Sequence, residues 1–443
     1  MGSISAGGAR FVDIATPVSF GGFTSTAIEH FTPQLRALGL EPQQGISGGG
    51  RLQPGLGNPA SLQPGSMISV QLLAGDLSIG ADGTVTHVDG QRVYAFGHRF
   101  LSLGNTELPF ARAEVLALLP SLAASFKISA PREWMGTISD DRSTGVTGEL
   151  GRRAALIPLS ISITPHSASG VAGTRLNYQM EMVSDSVLSP LLTQLAMFST
   201  IDATERTLGS ATLAVRSEIQ FQGETTPLRL NSTYSGDLSL PQQASLGAAV
   251  PLAYALQSGF EILRLKDVRI EIDAYAERRQ AQVEQVWTSR RQVQPGETVE
   301  ITVVLTGPNG VEINRKANYQ VPVGASPGPL YFTVADGSTT NLTEYRQLLT
   351  TRPRTPAQLV NFLNGLRDNT KAYVRVWRAE ADYDIQGQNF PSPPPSVEQI
   401  LARSQTGVGA LAGSRNSKVA ELEIALGGMV ISGNKTVQVE IKE

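Results

Sequence analysis

Hydrophobic and polar residues alternate along most of this chain. The alternating runs are short, and residues typical of turns separate them. The run MISVQLL from Met67 and the run VRIEIDAYAE from Val268 are examples. An apolar side chain at every second position is typical of a half-buried β-strand. The pattern therefore predicts a mainly β fold, with antiparallel strands joined by tight turns.

A few segments repeat their apolar residues at the three- and four-residue spacing of a helix. The predicted helices are Thr24–Leu38, Ala113–Leu122, Val187–Thr200, Ala244–Gly259, Thr355–Leu366 and Val397–Arg403. Hairpin turns are predicted at Asp82-Gly83, Asp89-Gly90 and Gly433-Asn434, because Asp-Gly and Gly-Asn pairs favour two-residue turns. Helices are expected to be the minority.

Changes in composition divide the chain into several predicted domains. The Gly- and Pro-rich stretch Gly45–Pro64 indicates a linker. Near Gln294, the run QPGETVEITVVL opens with a Pro-Gly turn and then alternates, as the first strand of a β-sandwich does. The predicted segments are 1–64, with a helix and the linker; 65–170, an antiparallel β core; 171–290, an α+β accessory region; 291–385, an immunoglobulin-like β-sandwich; and 386–443, a Pro-rich loop, a helix and a hairpin.

Charge and composition exclude several classes of function. Lys and Arg number 36 against 39 acidic residues, a net charge of −3, so nucleic acid is not an expected partner. No run of about eighteen apolar residues occurs, so no integral membrane segment is expected. The chain has no cysteine, and His30, His87 and His166 lack metal-ligand spacing, so neither a metal nor another cofactor is predicted.

Two residues are candidates for nucleophilic catalysis. His98 follows the apolar strand VYAF, at a strand end where loop residues can face a cleft. Ser47 lies in a glycine-x-serine-x-glycine pattern, but the strand and helix that flank a nucleophile elbow are missing around it, so a linker is the competing interpretation. An aspartate of the turn Asp140-Asp141-Arg142 would orient His98 if the two segments pack together, and the alternative is a surface turn. Asp76 and Asp89 are interpreted as turn residues.

Two blocks of sequence carry a resemblance to a known family. The first is DLSIGADGTVTHVDGQRVYAFGHRF, which contains His98, and the second is EWMGTISDDRSTGVTGELG, which ends at Gly151. Their motifs and order are similar to those of the SpoIVB serine peptidase family. The resemblance covers about a fifth of the chain, by the lengths of the two blocks and the segment between them.

The resemblance implies a bacterial serine endopeptidase, exported to the periplasm or cell envelope and acting on protein or peptide substrates, with His98 as general base. The nucleophile of the family lies in a glycine-methionine-serine-glycine-serine-proline motif, which this sequence lacks. We therefore expect this chain to be incomplete or inactive as a peptidase on its own, with the serine motif upstream of it. The alternative is a non-catalytic envelope scaffold that binds proteins or peptides.

Overall fold

The computed structural model describes most of the chain. The described residues are 5–6, 9–10, 15–45, 52, 55–119, 126–167, 169–205, 211–236, 239–350, 353–385, 388–391, 393–404, 411–414 and 417–442. Among them, strands far outnumber helices, and they form several sheets. The prediction of a mainly β fold with a few helices is confirmed.

The N-terminal two thirds of the described chain contains three helices and most of the strands. These elements are β1 Ser5–Ala6, β2 Ala9–Arg10, β3 Thr16–Gly21, α1 Ser25–Ala37, β4 Leu40–Gln44, β5 Met67–Gly75, β6 Ser78–Asp89, β7 Arg92–Ala95, β8 Gly104–Leu119, β9 Phe126–Arg142, β10 Gly145–Leu150, β11 Leu156–His166, β12 Leu176–Val183, α2 Leu188–Glu205, β13 Ala211–Phe221, β14 Leu228–Gly236, α3 Leu240–Leu256 and β15 Leu265–Tyr275.

The remaining elements form the C-terminal part. They are β16 Gln280–Thr288, β17 Gln292–Val293, β18 Thr298–Thr306, β19 Glu312–Gln320, β20 Gly328–Asp336, α4 Gly337–Thr350, α5 Pro356–Asn364, β21 Lys371–Arg378, β22 Asp382–Ile385, β23 Gln388–Pro391, α6 Pro395–Ser404, β24 Leu411–Ser414, β25 Ser417–Ala425, β26 Val430–Ser432 and β27 Asn434–Ile441.

Strands β5 to β10 close into a barrel. The hydrogen-bonded order runs β5, β8, β9, β10, β7 and β6, and a further pairing of β5 with β6 completes the ring. All of these pairings are antiparallel. Its interior is filled by buried apolar residues of the alternating strands, among them Phe110, Ile138 and Val146. Both sequence blocks that carry the family resemblance lie in this barrel.

The barrel continues into a larger sheet on both sides. Strands β3 and β4 extend it from β6, and strands β12, β11, β15, β13 and β14 extend it from β5, giving a 13-stranded sheet. Helices α2 and α3 pack on each other and against the second of these extensions. Buried residues of sheet and helices, such as Leu159, Leu195 and Leu252, belong to one hydrophobic core.

A second core lies between two further sheets. One has the order β19, β18, β16 and β26, and the other has the order β17, β27, β20, β21 and β25. Val303, Phe332, Val374 and Val439 are among the buried residues that they share. This pair of sheets is a β-sandwich that extends beyond the predicted segment 291–385. Its assignment as immunoglobulin-like stays a prediction.

Helix α5 connects the sandwich to the larger sheet. Its Leu359, Val360 and Leu363 belong to the core of the larger sheet, although the helix lies in sequence between two strands of the sandwich. Asn364 accepts a hydrogen bond from the backbone N–H of Arg229 at 2.7 Å. The sheets therefore do not coincide with the five predicted segments, and whether those segments fold separately stays a prediction.

Several local predictions are confirmed and others are wrong. The first helix forms as expected, with the Thr24 hydroxyl accepting from the N–H of Ala27. The predicted helix Ala113–Leu122 is wrong, because Ala113 to Leu119 belong to strand β8 and pair with β9. Leu and Ala are strong helix formers, but helix propensities differ by less than about 1 kcal/mol per residue, and strand pairing outweighs that preference here.

Two of the three predicted hairpin turns are also wrong. Strand β6 continues through Asp82-Gly83, which pair with Ser69 and Ile68 of β5. At Gly433-Asn434 the chain passes from one sheet of the sandwich to the other, because β26 pairs with β16 and β27 pairs with β20. The turn at Asp89-Gly90 does join two paired strands, β6 and β7.

Candidate active site

His98 lies in the loop between β7 and β8, which we call the histidine loop (residues 96–103). The loop leaves one end of the barrel, and the His98 side chain is exposed there. Phe100 is 2 % exposed and anchors the loop in the core. The sequence-based position of His98 at a strand end is therefore confirmed, and its imidazole is accessible from solvent.

The carboxylate of Asp141 holds the histidine loop in place. One oxygen accepts from the backbone N–H of Phe100 at 2.9 Å, and the other accepts from the N–H groups of Leu101 at 2.7 Å and Leu103 at 3.2 Å. Asp141 itself is 1 % exposed. Hydrogen bonds to a charged acceptor are stronger than those between neutral groups, so a buried carboxylate with three donors is an effective anchor.

The backbone of the histidine loop is strained. Phe96 and Ser102 have φ angles of 73° and 60°, in the left-handed region that side-chain-bearing residues rarely adopt. For a bulky residue such as Phe96 this conformation persists only because its surroundings enforce it. The Phe96 ring packs directly on the backbone of Gly83, where an added Cβ would lie 2.3 Å from the ring. Gly83 is therefore required for packing and not for a turn.

One backbone carbonyl orients the imidazole of His98. Its Nδ1 lies 2.7 Å from the carbonyl oxygen of Arg99, which also accepts a 3.3 Å hydrogen bond from the Thr16 hydroxyl. Since a carbonyl oxygen only accepts, Nδ1 carries the proton in this hydrogen bond, and in the neutral imidazole the lone pair is then on Nε2. The Phe96 ring contacts the imidazole edge to face, at 5.7 Å between ring centroids. The neutral imidazole with its proton on Nδ1 is the tautomer that a general base needs.

The other parts of a catalytic triad are not assembled around His98 within the described residues. No described serine hydroxyl or carboxylate is hydrogen-bonded to its ring, and Ser47 lies outside the described residues. Asp140 forms an ion pair with Arg142 at 2.8 Å. Neither aspartate contacts the His98 ring directly: the Asp141 carboxylate binds the backbone of the histidine loop, and Asp141 is a buried residue of β9 instead of part of a surface turn.

Three other residues considered in the sequence, Asp76, His30 and His166, make local contacts. Asp76 accepts from the N–H of Gln179 at 2.7 Å and stabilises the chain between β5 and β6. His30 stacks on Phe198, and His166 contacts Asp273 at 3.1 Å.

No three His, Asp or Glu side chains converge into a possible metal site in the described part of the chain. Nor does any helix described there have the length and apolarity to cross a membrane.

A cleft of about 590 Å³ lies elsewhere, between the larger sheet and the β-sandwich. Tyr234, Tyr345, Arg367 and Asn369 are among the residues that line it. Asn369 donates to the Thr233 carbonyl of β14 and so joins the two parts, whereas the Arg367 guanidinium forms ion pairs with Glu344 of α4 and Glu421 of β25 within the C-terminal part. The sequence gives no signal for this cleft, because its walls come from several elements between Arg229 and Ser432 that are not neighbours along the chain.

Comparisons with known proteins add little to this geometry. No protein-family model matches the chain, and neither does any curated protein. The chain is similar to a solved structure of a superantigen-like protein from Staphylococcus aureus, with 10 % sequence identity over 48 % of this chain and 96 % of that one. The TM-score is 0.16, which is too low to indicate a shared fold. The functional argument therefore depends on the site itself.

Proposed function

We propose that the barrel β5–β10 is the histidine-bearing part of a SpoIVB-type serine peptidase and that His98 is its general base. The observation that carries this proposal is the hydrogen bond from His98 Nδ1 to the Arg99 carbonyl at 2.7 Å, on a loop that Asp141 fixes. In the neutral imidazole this places the lone pair that can accept a proton on Nε2, on a side chain that is exposed. In this role the Arg99 carbonyl replaces the carboxylate that orients histidine in many triads.

The proposed reaction is the hydrolysis of a peptide bond in two steps. A serine from the family's glycine-methionine-serine-glycine-serine-proline motif attacks the peptide carbonyl while Nε2 of His98 takes the hydroxyl proton. The same nitrogen returns that proton to the departing amine, and water then releases the acyl group by the reverse sequence. Because the motif is absent from this sequence, we expect no hydrolysis by this chain alone. Export to the bacterial envelope belongs to the same proposal.

The test is labelling by a serine-directed fluorophosphonate of the chain expressed together with its natural upstream segment. We expect the protein to be labelled and His98→Ala to slow labelling by at least about 100-fold, the usual contribution of a general base. His87→Ala is the matched control, because His87 is another exposed histidine of the barrel, on β6. Labelling at the same rate in His98→Ala, or none in the parent protein, contradicts the proposal.

A protein-binding role without hydrolysis is the second candidate. It is favoured by the lack of any described serine hydroxyl bonded to His98. In that case the barrel retains the fold of a peptidase and presents its strands to other polypeptides. Failure of the labelling experiment together with retained polypeptide binding would support this candidate.

A further inference from the structure

The hairpin of β8 and β9 extends well beyond the barrel. Near the barrel, β8 pairs with β5 as far as Ala113, and β9 pairs with β10 from Gly136 onward. The distal part of β8, Glu114–Leu119, pairs only with β9 within the described part of the chain. We call Glu114–Leu118 the free edge, because no strand among the described residues lies beside the N–H and C=O groups on its outer side.

The side chains of the free edge are apolar and exposed. Val115, Leu116 and Leu118 are 43 %, 49 % and 59 % exposed, and Ala117 between them is exposed as well. Four consecutive exposed side chains mean that neither face of the strand is covered. An exposed apolar edge strand is a template for pairing with another chain, and proteins commonly block such edges with charge or proline.

The neighbouring strand β9 fixes the hairpin to the barrel. The Ser129 hydroxyl donates to the carboxylate of Asp82 on β6 at 2.5 Å, and Ser129, Ala130 and Pro131 are half-buried. The hairpin is thereby held on its β9 side, and its open side is β8. A strand held in this way needs little ordering when a partner binds, which favours affinity.

The charges near the free edge favour an uncharged partner. Glu114 is paired with Arg132 at 2.6 Å, and Lys127 is the other exposed charge on the described distal part of the hairpin. A membrane surface fits less well, because anionic lipids are recognised by basic clusters and lipid would leave the edge N–H and C=O groups unpaired. A second copy fits less well too, since four side chains provide far less than the roughly 800 Å² per partner of a stable interface.

We propose that the free edge Glu114–Leu118 binds an extended, uncharged, apolar segment of another polypeptide as an additional β-strand. Backbone hydrogen bonds to the outer side of β8 hold the segment, and Val115, Leu116 and Leu118 contact its side chains. The site is distinct from the histidine loop, which lies at the other end of β8. This inference does not depend on hydrolysis, and it specifies where and how a polypeptide binds.

The test measures binding of a fluorescent peptide of alternating Val and Thr to the whole chain by fluorescence anisotropy. We expect Leu118→Lys and Leu116→Lys each to weaken binding by at least about 10-fold, because lysine on an edge disfavours strand addition. Val323→Lys is the matched control: Val323 is 83 % exposed on the sandwich, and its replacement should leave binding unchanged. Circular dichroism checks that all three variants are folded.

Further measurements separate this proposal from its competitors. A peptide with N-methyl groups on alternate amides should bind at least about 10-fold more weakly if backbone pairing holds it. Equal binding of the methylated and unmethylated peptides overturns the proposal. A loss of binding in Val323→Lys as large as that in Leu116→Lys and Leu118→Lys also overturns it. The proposal is also overturned if the peptide does not bind and Leu118 is instead needed for another interaction. That interaction would be binding to phosphatidylcholine and phosphatidylglycerol vesicles, or dimerisation in sedimentation equilibrium. His98→Ala should bind the peptide normally, so this result is independent of the labelling experiment.

Discussion

The carboxylate of Asp141 accepts a hydrogen bond from the backbone N–H of Phe100 at 2.9 Å, across 41 positions of sequence. This contact joins the two sequence blocks that resemble the SpoIVB family. Phe100 follows His98 by two residues, so the carboxylate controls the loop that presents the imidazole. Asp141 thus fixes the backbone of the histidine loop, whichever of the two functional candidates is correct.

Replacing Asp141 should destabilise the protein and free the histidine loop. Asp141→Ala leaves the N–H groups of Phe100, Leu101 and Leu103 without their acceptor, and each buried N–H left unpaired costs about 1–3 kcal/mol. We expect a total loss of about 3 kcal/mol in the free energy of unfolding, measured in urea. Faster amide hydrogen exchange at these three residues should accompany it.

Asp140→Ala is the matched control for that experiment. Asp140 is the preceding residue, but its carboxylate pairs with Arg142 at the surface, and exposed ion pairs contribute at most about 1 kcal/mol. We expect a change below that value and unaltered exchange in the loop. Equal destabilisation by the two variants would contradict the anchoring role of Asp141.

Gly83 should be intolerant of even a methyl group. In Gly83→Ala the added Cβ would lie 2.3 Å from the Phe96 ring, so the ring and the histidine loop must move. We expect a loss of about 1–3 kcal/mol in the free energy of unfolding, as for other overpacked sites. Gly324→Ala is the control, because its added Cβ meets nothing within 4 Å. A smaller loss from Gly83→Ala in a Phe96→Ala background would identify the ring as the cause.

Asp82 should make the stability depend on pH. Burial raises the pKa of its carboxyl, although hydrogen bonds from Ser129 and Ser69 act in the opposite direction. The folded protein therefore binds the proton more tightly than the unfolded chain does. The favourable contribution is fully present below the unfolded pKa of about 3.9 and is lost as the pH rises through the folded pKa.

Asp82→Asn removes this titration and keeps an oxygen that can accept from Ser129. At pH 7 we expect the variant to be at least as stable as the parent, and below about pH 4 we expect that advantage to disappear or reverse. Urea unfolding from pH 3.5 to pH 7 measures the difference. Asp89→Asn, at the exposed last residue of β6, serves as the control. A difference between Asp82→Asn and the parent that does not change with pH would contradict this prediction.

Local sequence patterns predicted many of the elements correctly. Helix α1 begins at Ser25 after the Thr24 cap, and β15 includes most of the alternating run from Val268. Such elements depend on helix caps and on the periodicity of apolar residues, and both can be recognised from residues that are close together in the sequence. Ala113–Leu119 was predicted wrongly, since its Leu and Ala residues suit a helix and only the pairing with β9 makes it a strand.

The candidate site was predicted only in part. The position of His98 at a strand end followed from the sequence, as did the suggestion that the turn containing Asp141 packs beside it. The role of Asp141 did not follow from the sequence. An aspartate that accepts hydrogen bonds from three backbone N–H groups has the same local sequence as an Asp-Arg turn at the surface. The family resemblance and the identity of the nucleophile stay predictions.

The sequence by itself determined the β-rich character, the approximate positions of most helices, although not of α4, and the place of His98 after a strand. Each of these depends on side chains that are close together along the chain. Only the tertiary structure decided that β5 to β10 close a barrel, that Asp141 holds the histidine loop, and that β8 ends in a free edge. These features arise from pairings between distant strands, and the registers of such pairings depend on the packing of the whole core.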